Sequence, residues 1–304
     1  ELKFPAMAIT DHGGMFGVIE FYRAALAKGI KPIIGCEVYV APGSRLIKKS
    51  ANGGRDAYNH LVLLAKDEVG YKNLIRLVTE AHLEGYYYKP RIDREILAEN
   101  KEGLIALSGC LASQIPECIV RDKLDEARAT IDWFKQTFGA ENFYLELHNH
   151  GIADQAKVNR SLIPWAREFG LKLVASNDVH YVEKAHSHAH DCLICIGTQT
   201  TLNDSKRMRY VAEQFYLRSA EEMQELFAEV PEAVRNSLEI AEKCNLEIEF
   251  DKLHYPVYEP PEHFTREGYL RKVLAESLLK RYGIHARAVG PEFVIDRVED
   301  PKRL

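Results

Sequence analysis

Six short apolar runs recur along the first 180 residues, at 7–10, 31–41, 60–66, 104–110, 143–150 and 171–176, and polar or turn-forming residues follow each. Runs of this length, rich in Val, Ile, Leu and aromatic residues, read as β-strands. Between them the apolar positions recur at helical spacing, as in Met15, Val18, Ile19, Tyr22, Ala25 and Leu26, or Tyr71, Leu74, Leu77, Val78 and Ala81. Further amphipathic helices are predicted over 123–138 and 153–169. Strand followed by helix throughout predicts an α/β fold with a largely parallel sheet. Alternation along 31–41 sets Ile33, Gly35 and Glu37 on one face, and an acid inside an apolar strand needs a partner because an unpaired buried carboxylate is costly.

Residues of metal-ligand type lie where four of these strands stop: Asp11 with His12, Cys110, His148 with His150, and Asp178 with His180. Barrels of alternating strands and helices build their sites at that end. One more strand before Glu1 would bring the count to seven. His60 begins its strand rather than ending it, so either that strand runs against the others or the preceding loop reaches the site. In Ala175-Ser-Asn-Asp-Val-His-Tyr181, a period of two would project the Asp178 carboxylate and His180 imidazole to one side, as two ligands of one metal ion require. The plainer alternative is that Asp178 caps the next helix and His180 sits in a loop.

Elsewhere the texture differs. Residues 42–59 read as a long exposed loop, and the aromatics of Gly85-Tyr-Tyr-Tyr-Lys-Pro-Arg-Ile-Asp93 are expected to pack rather than stack on bases. A helix over 183–196 carries His186, His188 and His190 with Cys192 and Cys195, which helical spacing places on an apolar face with Ile196. Ser219 and Glu222 form a capping box before another helix, and 230–243 is helical. Pro256, Pro260 and Pro261 then mark a boundary near residue 255, giving units over 1–255 and 256–304.

The chain has 304 residues, 46% of them hydrophobic, enough for one large domain or two. No apolar stretch approaches the ~20 residues that span a bilayer, so no membrane partner is expected. Six cysteines in so long a chain suit reduced thiols and a cytoplasmic location better than a disulfide framework. The net charge of -5 supplies no bulk basic field for nucleic acid. Lys206-Arg-Met-Arg209 and Arg45-Leu-Ile-Lys-Lys49 are local basic patches whose simpler reading is solvated loop charge. The opening at Glu1, without methionine, suggests a piece of a longer protein.

The ordered motifs Ile9-Thr-Asp-His-Gly13, Gly35-Cys-Glu37, His60-Leu-Val-Leu-Leu-Ala-Lys66, Gly70-Tyr-Lys-Asn-Leu74, Lys89-Pro-Arg-Ile-Asp93, Leu107-Ser-Gly-Cys110 and Asn177-Asp-Val-His-Tyr181 resemble the amino-terminal PHP (polymerase and histidinol phosphatase) domain of bacterial DNA polymerase III alpha subunits. The resemblance covers about residues 1–250, and the stretch with Thr265-Arg-Glu-Gly-Tyr-Leu270 is similar to the start of that subunit's palm region. It implies a distorted seven-stranded (β/α) barrel of PHP type. It also implies a cleft for up to three divalent ions, zinc first, with manganese or iron as alternatives. Carried over position by position, the metal ligands are His12, Glu37, His60, Cys110, Asp178 and His180. Glu37 and Asp178 would hold the metal-bound water that attacks phosphate. The family's His-x-His motif and its following acid would lie before Glu1, and His148 and His150 fall outside its ligand positions.

The implied function is a multi-metal phosphoesterase, a 3′-5′ exonuclease for proofreading in the complete polymerase, acting on the DNA primer terminus. Partners would be replisome subunits such as the sliding clamp and a proofreading subunit. The alternatives are a catalytically silent metal-binding scaffold that stabilises the polymerase and docks partner subunits, and a stand-alone phosphatase. The polymerase aspartates would lie after Leu304, so the chain itself should not extend primers.

Overall fold

A computed structural model describes residues 2–50, 57–253, 255–290 and 292–300. The chain divides into two compact units, Glu1–Ile248 and Glu249–Leu304. In the first, strands β1 (Ala6–Ile9), β2 (Lys31–Val40), β3 (Asn59–Ala65), β4 (Arg91–Ile92), β5 (Leu104–Leu107), β6 (Phe143–Leu147) and β7 (Lys172–Ala175) form one seven-stranded sheet. Its order is β1-β2-β3-β5-β6-β7, with β4 beside β2. All pairings are parallel except those of β3, which runs antiparallel to both β2 and β5. The seventh strand of this sheet is the two-residue β4, in a stretch for which the sequence suggested no strand.

The reversal of β3 places His60. Because β3 points against its neighbours, its first residues lie at the end where the other strands finish, and Tyr39 pairs with His60 near the end of β2. The two edge strands also approach each other. His12 follows β1 and His180 follows β7, yet their ring centroids are 6.0 Å apart, so the sheet curls until its edges nearly meet.

Period two sorts the strand residues between two cores. Cys36, Val38, Leu61, Leu63, Leu104, Ala106, Phe143, Leu145 and Leu173 pack outward. They meet helices α2 (Glu68–Leu83), α3 (Arg94–Glu99), α4 (Gln114–Val120), α5 (Leu124–Phe138) and α6 (Ala153–Phe169), the larger core, while Val18 and Tyr22 of α1 (Val18–Ala27) pack separately with Ile34. On the concave face Ile33, Val62, Leu64, Ile105, Tyr144 and Val174 pack with Ile240 and Ala241 of a later helix, Pro231–Lys243. That helix crosses the concave face at the end remote from His60, where Lys31 Nζ donates to Ala241 O at 2.6 Å and Asn236 Nδ2 to Leu173 O at 2.7 Å. The other end of the same face carries Glu37, His60, Glu146 and His148, on the alternate positions of the same strands.

Arg91 is buried, and its guanidinium donates to the carbonyls of Gly85, Arg45, Ile47 and Ala57, so it secures both ends of the loop between β2 and β3. Arg45 is itself held by Glu84 and Asp93, at 2.7 and 3.2 Å, which gives that part of the basic patch a structural task. In the tyrosine run, Tyr87 lies against Arg91, 5.0 Å from its guanidinium, and meets Tyr88 edge to face at 4.7 Å, while Tyr86 and Tyr88 are about half exposed.

Between β7 and the last helix of this unit come α7 (Ser187–Thr198) and α8 (Ala220–Leu226), the latter opened by the Ser219–Glu222 capping box. Cys195 is buried, but Ile196 is exposed and Cys192 faces His188, so α7 has a narrower apolar face than its spacing suggests. The second unit holds the helix Arg266–Tyr282, capped by Thr265, and an antiparallel hairpin over Ile284–Val289 and Glu292–Val298. Among the described residues no helix is long and apolar enough to cross a membrane.

Glu239, on α9 (Pro231–Lys243), accepts from Tyr144 at 2.6 Å, Lys243 at 2.8 Å and Lys172 at 3.0 Å. Burial opposes its charge, but these donors hold its pKa down at about 2. A depressed carboxylate contributes stability above its unfolded pKa and loses it as pH falls through the folded value. Glu239→Gln should therefore lower the melting temperature at neutral pH, with the gap from the parent closing between pH 4.5 and about 2. Thermal melts followed by circular dichroism across that range check this, and a gap that persists at pH 2 would assign the effect to packing instead.

Candidate metal centre

The chain turns sharply after β1 to bring His12 beside Glu37. Glu37 N donates to Asp11 O at 3.0 Å and Gly13 N to Glu37 O at 2.9 Å, so backbone pairing continues past the strand. Gly13 has φ +61, and a Cβ there would lie 2.7 Å from the Tyr39 ring, so this turn requires glycine. Glu37 Oε1 is 2.5 Å from His60 Nδ1, and Oε2 is 3.6 Å from His12 Nδ1. Ligand atoms of His12, Glu37 and His60 all lie within 4.8 Å of one another, and this group could hold a metal ion.

Cys110 joins them from the end of β5, its Sγ 3.6 Å from His60 Nδ1 and 3.7 Å from Glu37 Oε1. Tyr39 and Tyr58 line one flank, with ring centroids 5.2 and 6.1 Å from that of His60. On the opposite flank stand Asp178 and His180. His180 Nδ1 donates to the Asp178 carbonyl at 2.7 Å, which leaves Nε2 as the acceptor of the Tyr210 hydroxyl, also at 2.7 Å.

Residues 1–150 match the family model of the PHP domain. DNA polymerase III subunit alpha of Thermus aquaticus is 47% identical over 284 residues, 91% of this chain and 23% of that protein. The subunits of Borreliella burgdorferi and Treponema pallidum are 46% and 43% identical, over 91% and 92% of this chain and 24% of each. The chain belongs to the PHP-domain family of DNA polymerase III alpha subunits. It spans about a quarter of the length of these curated relatives.

Within this PHP domain the argument from strand alternation does not apply to Asp178 and His180. β7 ends at Ala175, and Asp178 has φ +43, a left-handed conformation uncommon for a residue with a side chain. The pair is displayed by a strained loop. That loop is pinned by Asn177, which donates to Gln214 O at 2.8 Å and Tyr216 O at 2.7 Å, and by His180 N donating to Phe215 O at 2.8 Å. Nor does Asp178 cap a helix, since Glu183 caps the turn that follows.

His148 and His150, the other histidines at a strand end, are both buried and occupied. His148 Nε2 lies 2.8 Å from Ser176 Oγ and 3.2 Å from Glu146 Oε1. His150 Nε2 donates to Asn177 O at 3.1 Å while Nδ1 accepts from Gln155 at 2.8 Å, and burial lowers its pKa to about 4. They steady the floor beneath the Asp178 loop.

The electrostatics favour a cation. Burial works against the Glu37 charge, but the His60 hydrogen bond and the neighbouring imidazoles prevail, and its pKa falls below the ordinary carboxylate value. Asp178 is pushed up, first by burial and then by Glu37 and Glu146, against the opposing pull of His148 and His180. Burial and the Glu37 and Asp178 charges also raise the Cys110 thiol. Burial lowers His12. Among the described residues none of the six has lysine or arginine as a hydrogen-bond or ion-pair partner. Two acids, a thiol and three imidazoles with no cationic side chain to balance them fit divalent ions by donor type and charge.

Residue spacing did not single out Glu146, Tyr39, Tyr58 or Tyr210. Alternation with His148 is the signal that would have found Glu146, two positions earlier on the same face. Tyr210 directly follows Lys206-Arg-Met-Arg209, but only the fold brings it to His180. Because its hydroxyl occupies the Nε2 lone pair of His180, Tyr210→Phe should tighten zinc binding, by up to ~10-fold, the worth of one hydrogen bond. Glu37→Gln should weaken it. Calorimetric zinc titration of both variants measures this, and weaker binding by Tyr210→Phe would show that the phenol supports the centre rather than competing for it.

Proposed function

We propose that this chain is the PHP module of a bacterial replicative DNA polymerase and that its metal centre is a 3′-5′ exonuclease that proofreads primer ends. The observation that carries the reading is the buried Glu37 carboxylate set between two imidazoles and a thiol, with no lysine or arginine among their partners in the described residues. His12, Glu37, His60, Cys110, Asp178 and His180 would hold the ions. A soft thiolate with imidazoles favours zinc, with manganese or iron as alternatives. Clustered divalent ions lower the pKa of bound water and clamp phosphate oxygens, which suits phosphodiester hydrolysis. With ions bound, Glu37 would stand between them as a shared ligand, and Glu37 and Asp178 would orient the attacking water. The primer terminus of DNA is then the substrate, the cytoplasm the location, and the sliding clamp and a proofreading subunit the expected partners.

A second reading has an observation of its own. The six residues sit within β2, at the start of β3 and in the turns that follow β1, β5 and β7, so ions held there would staple the curled sheet without hydrolysing anything. Asp178→Asn separates the two. It keeps the shape but removes a charge that holds the cation, so primer degradation by the full-length polymerase should fall at least ~10-fold while primer extension largely survives. Both activities are to be measured on one preparation freed of contaminating nucleases. Undiminished degradation would assign the nuclease elsewhere, and joint loss of both activities with a lower melting temperature would make the metal a structural staple.

A further inference from the structure

A cavity of about 460 Å³ opens beside the metal centre, between α7 and the segment 207–213. Its size lies within the ~300–1,000 Å³ usual for small-ligand sites. Arg207, Arg209, His190, Tyr181 and Tyr210 line it. The cavity and the metal centre share a wall: Tyr210 bonds His180 at 2.7 Å, and the rings of His180 and His190 have centroids 5.5 Å apart.

The lining combines fixed and available groups. Arg207 is locked by two hydrogen bonds of 2.6 Å to Asp191, which forms a rigid wall and neutralises that acid. Glu213, the other acid of the lining, is on the exposed side. Arg209 is exposed at the cavity and makes no hydrogen bond or ion pair among the described residues, so its fork of donors is available to an anion. Tyr181, His190 and Tyr210 meet edge to face or tilted at 5.2–5.3 Å and all three line the cavity, an aromatic surface against which a flat ligand can pack. A planar ring packed next to His180 and a phosphate held by an arginine are the two ends of a nucleotide.

We infer that this cavity receives the nucleotide at the 3′ end of DNA, its base against the Tyr181–His190–Tyr210 rings and its phosphate on Arg209. The inference rests on the nuclease reading and names the subsite that presents the bond to be cut. Tyr210 then has a place in both halves of the site, as a wall for the base and a neighbour of His180.

The test is a binding titration of the purified chain in EDTA, so that it is independent of hydrolysis and of bound metal. Thymidine 5′-monophosphate is the probe, followed by NMR line positions, with thymidine and orthophosphate as the separated halves. Saturable binding is expected, with each half at least ~10-fold weaker than the whole, because neither makes both sets of contacts. Arg209→Ala should weaken the nucleotide by at least ~10-fold, the worth of a charge-assisted contact, with an unchanged melting temperature because the side chain is exposed. Arg76→Ala, an exposed arginine on α2 paired with Glu80, should change nothing, which excludes a general charge effect. Equal affinity of Arg209→Ala and parent, or orthophosphate binding as tightly as the nucleotide, would overturn the inference. Nucleotide binding by the chain that depends on Arg209, together with a full-length polymerase that does not degrade primers, would uphold the subsite and overturn the nuclease reading alone.

Discussion

The burial of Glu37 is the constraint around which this domain is arranged. A carboxylate on an interior strand position loses the solvation of water, and that loss must be offset by donors close enough to restore it. Here the donors come from three directions. The turn after β1 brings His12, the reversed β3 brings His60 at 2.5 Å, and the end of β5 brings Cys110. Each of these is a topological feature as well as a contact. A parallel β3 would carry His60 to the opposite end of the sheet, where the concave face is filled by Ile33, Val62 and Leu64 against α9.

The nearby Glu146 shows what a purely structural acid looks like in the same cavity. Both carboxylates are buried on the concave face. Glu146 is satisfied by the backbone N–H of Gly109 at 3.0 Å and the Ser176 hydroxyl at 2.5 Å, with His148 at 3.2 Å, groups committed to joining β5, β6 and β7. The partners of Glu37 are imidazoles and a thiol, which carry lone pairs of their own and can turn them on a shared ion. Burial alone does not separate the two acids. The character of the partners does.

Much of the fold is legible in the sequence because alternation and helical spacing are strong where a face is buried. The runs at 31–41 and 143–150 contain β2 and β6, the run at 60–66 matches β3 but for Asn59, and the helical pattern from Tyr71 to Ala81 falls inside α2. The direction of β3 was not legible, since a strand's pattern is the same read either way, and His60 marked the ambiguity without resolving it. β4 escaped notice because two residues carry no periodicity. Of the site, Glu37 announced itself as an acid in an apolar strand, and Asp178 with His180 as a closely spaced pair, although the reason offered for that pair, strand alternation, belongs to a segment that is not strand. Tyr210 was illegible as a site residue because it reaches His180 from a loop thirty positions along the chain, whereas Arg209 was visible only as part of a basic patch.

The left-handed Asp178 ties these observations together. A non-glycine residue at φ +43 persists only where its surroundings over-determine it. Its surroundings are the Asn177 bonds to Gln214 and Tyr216, the Arg218 bond to Asn177 Oδ1 at 3.1 Å, and the His180 backbone bond to Phe215. All of these come from the segment that continues directly from Arg209 and Tyr210. The loop that displays Asp178 and His180 is therefore held in place by the same stretch of chain that lines the neighbouring cavity.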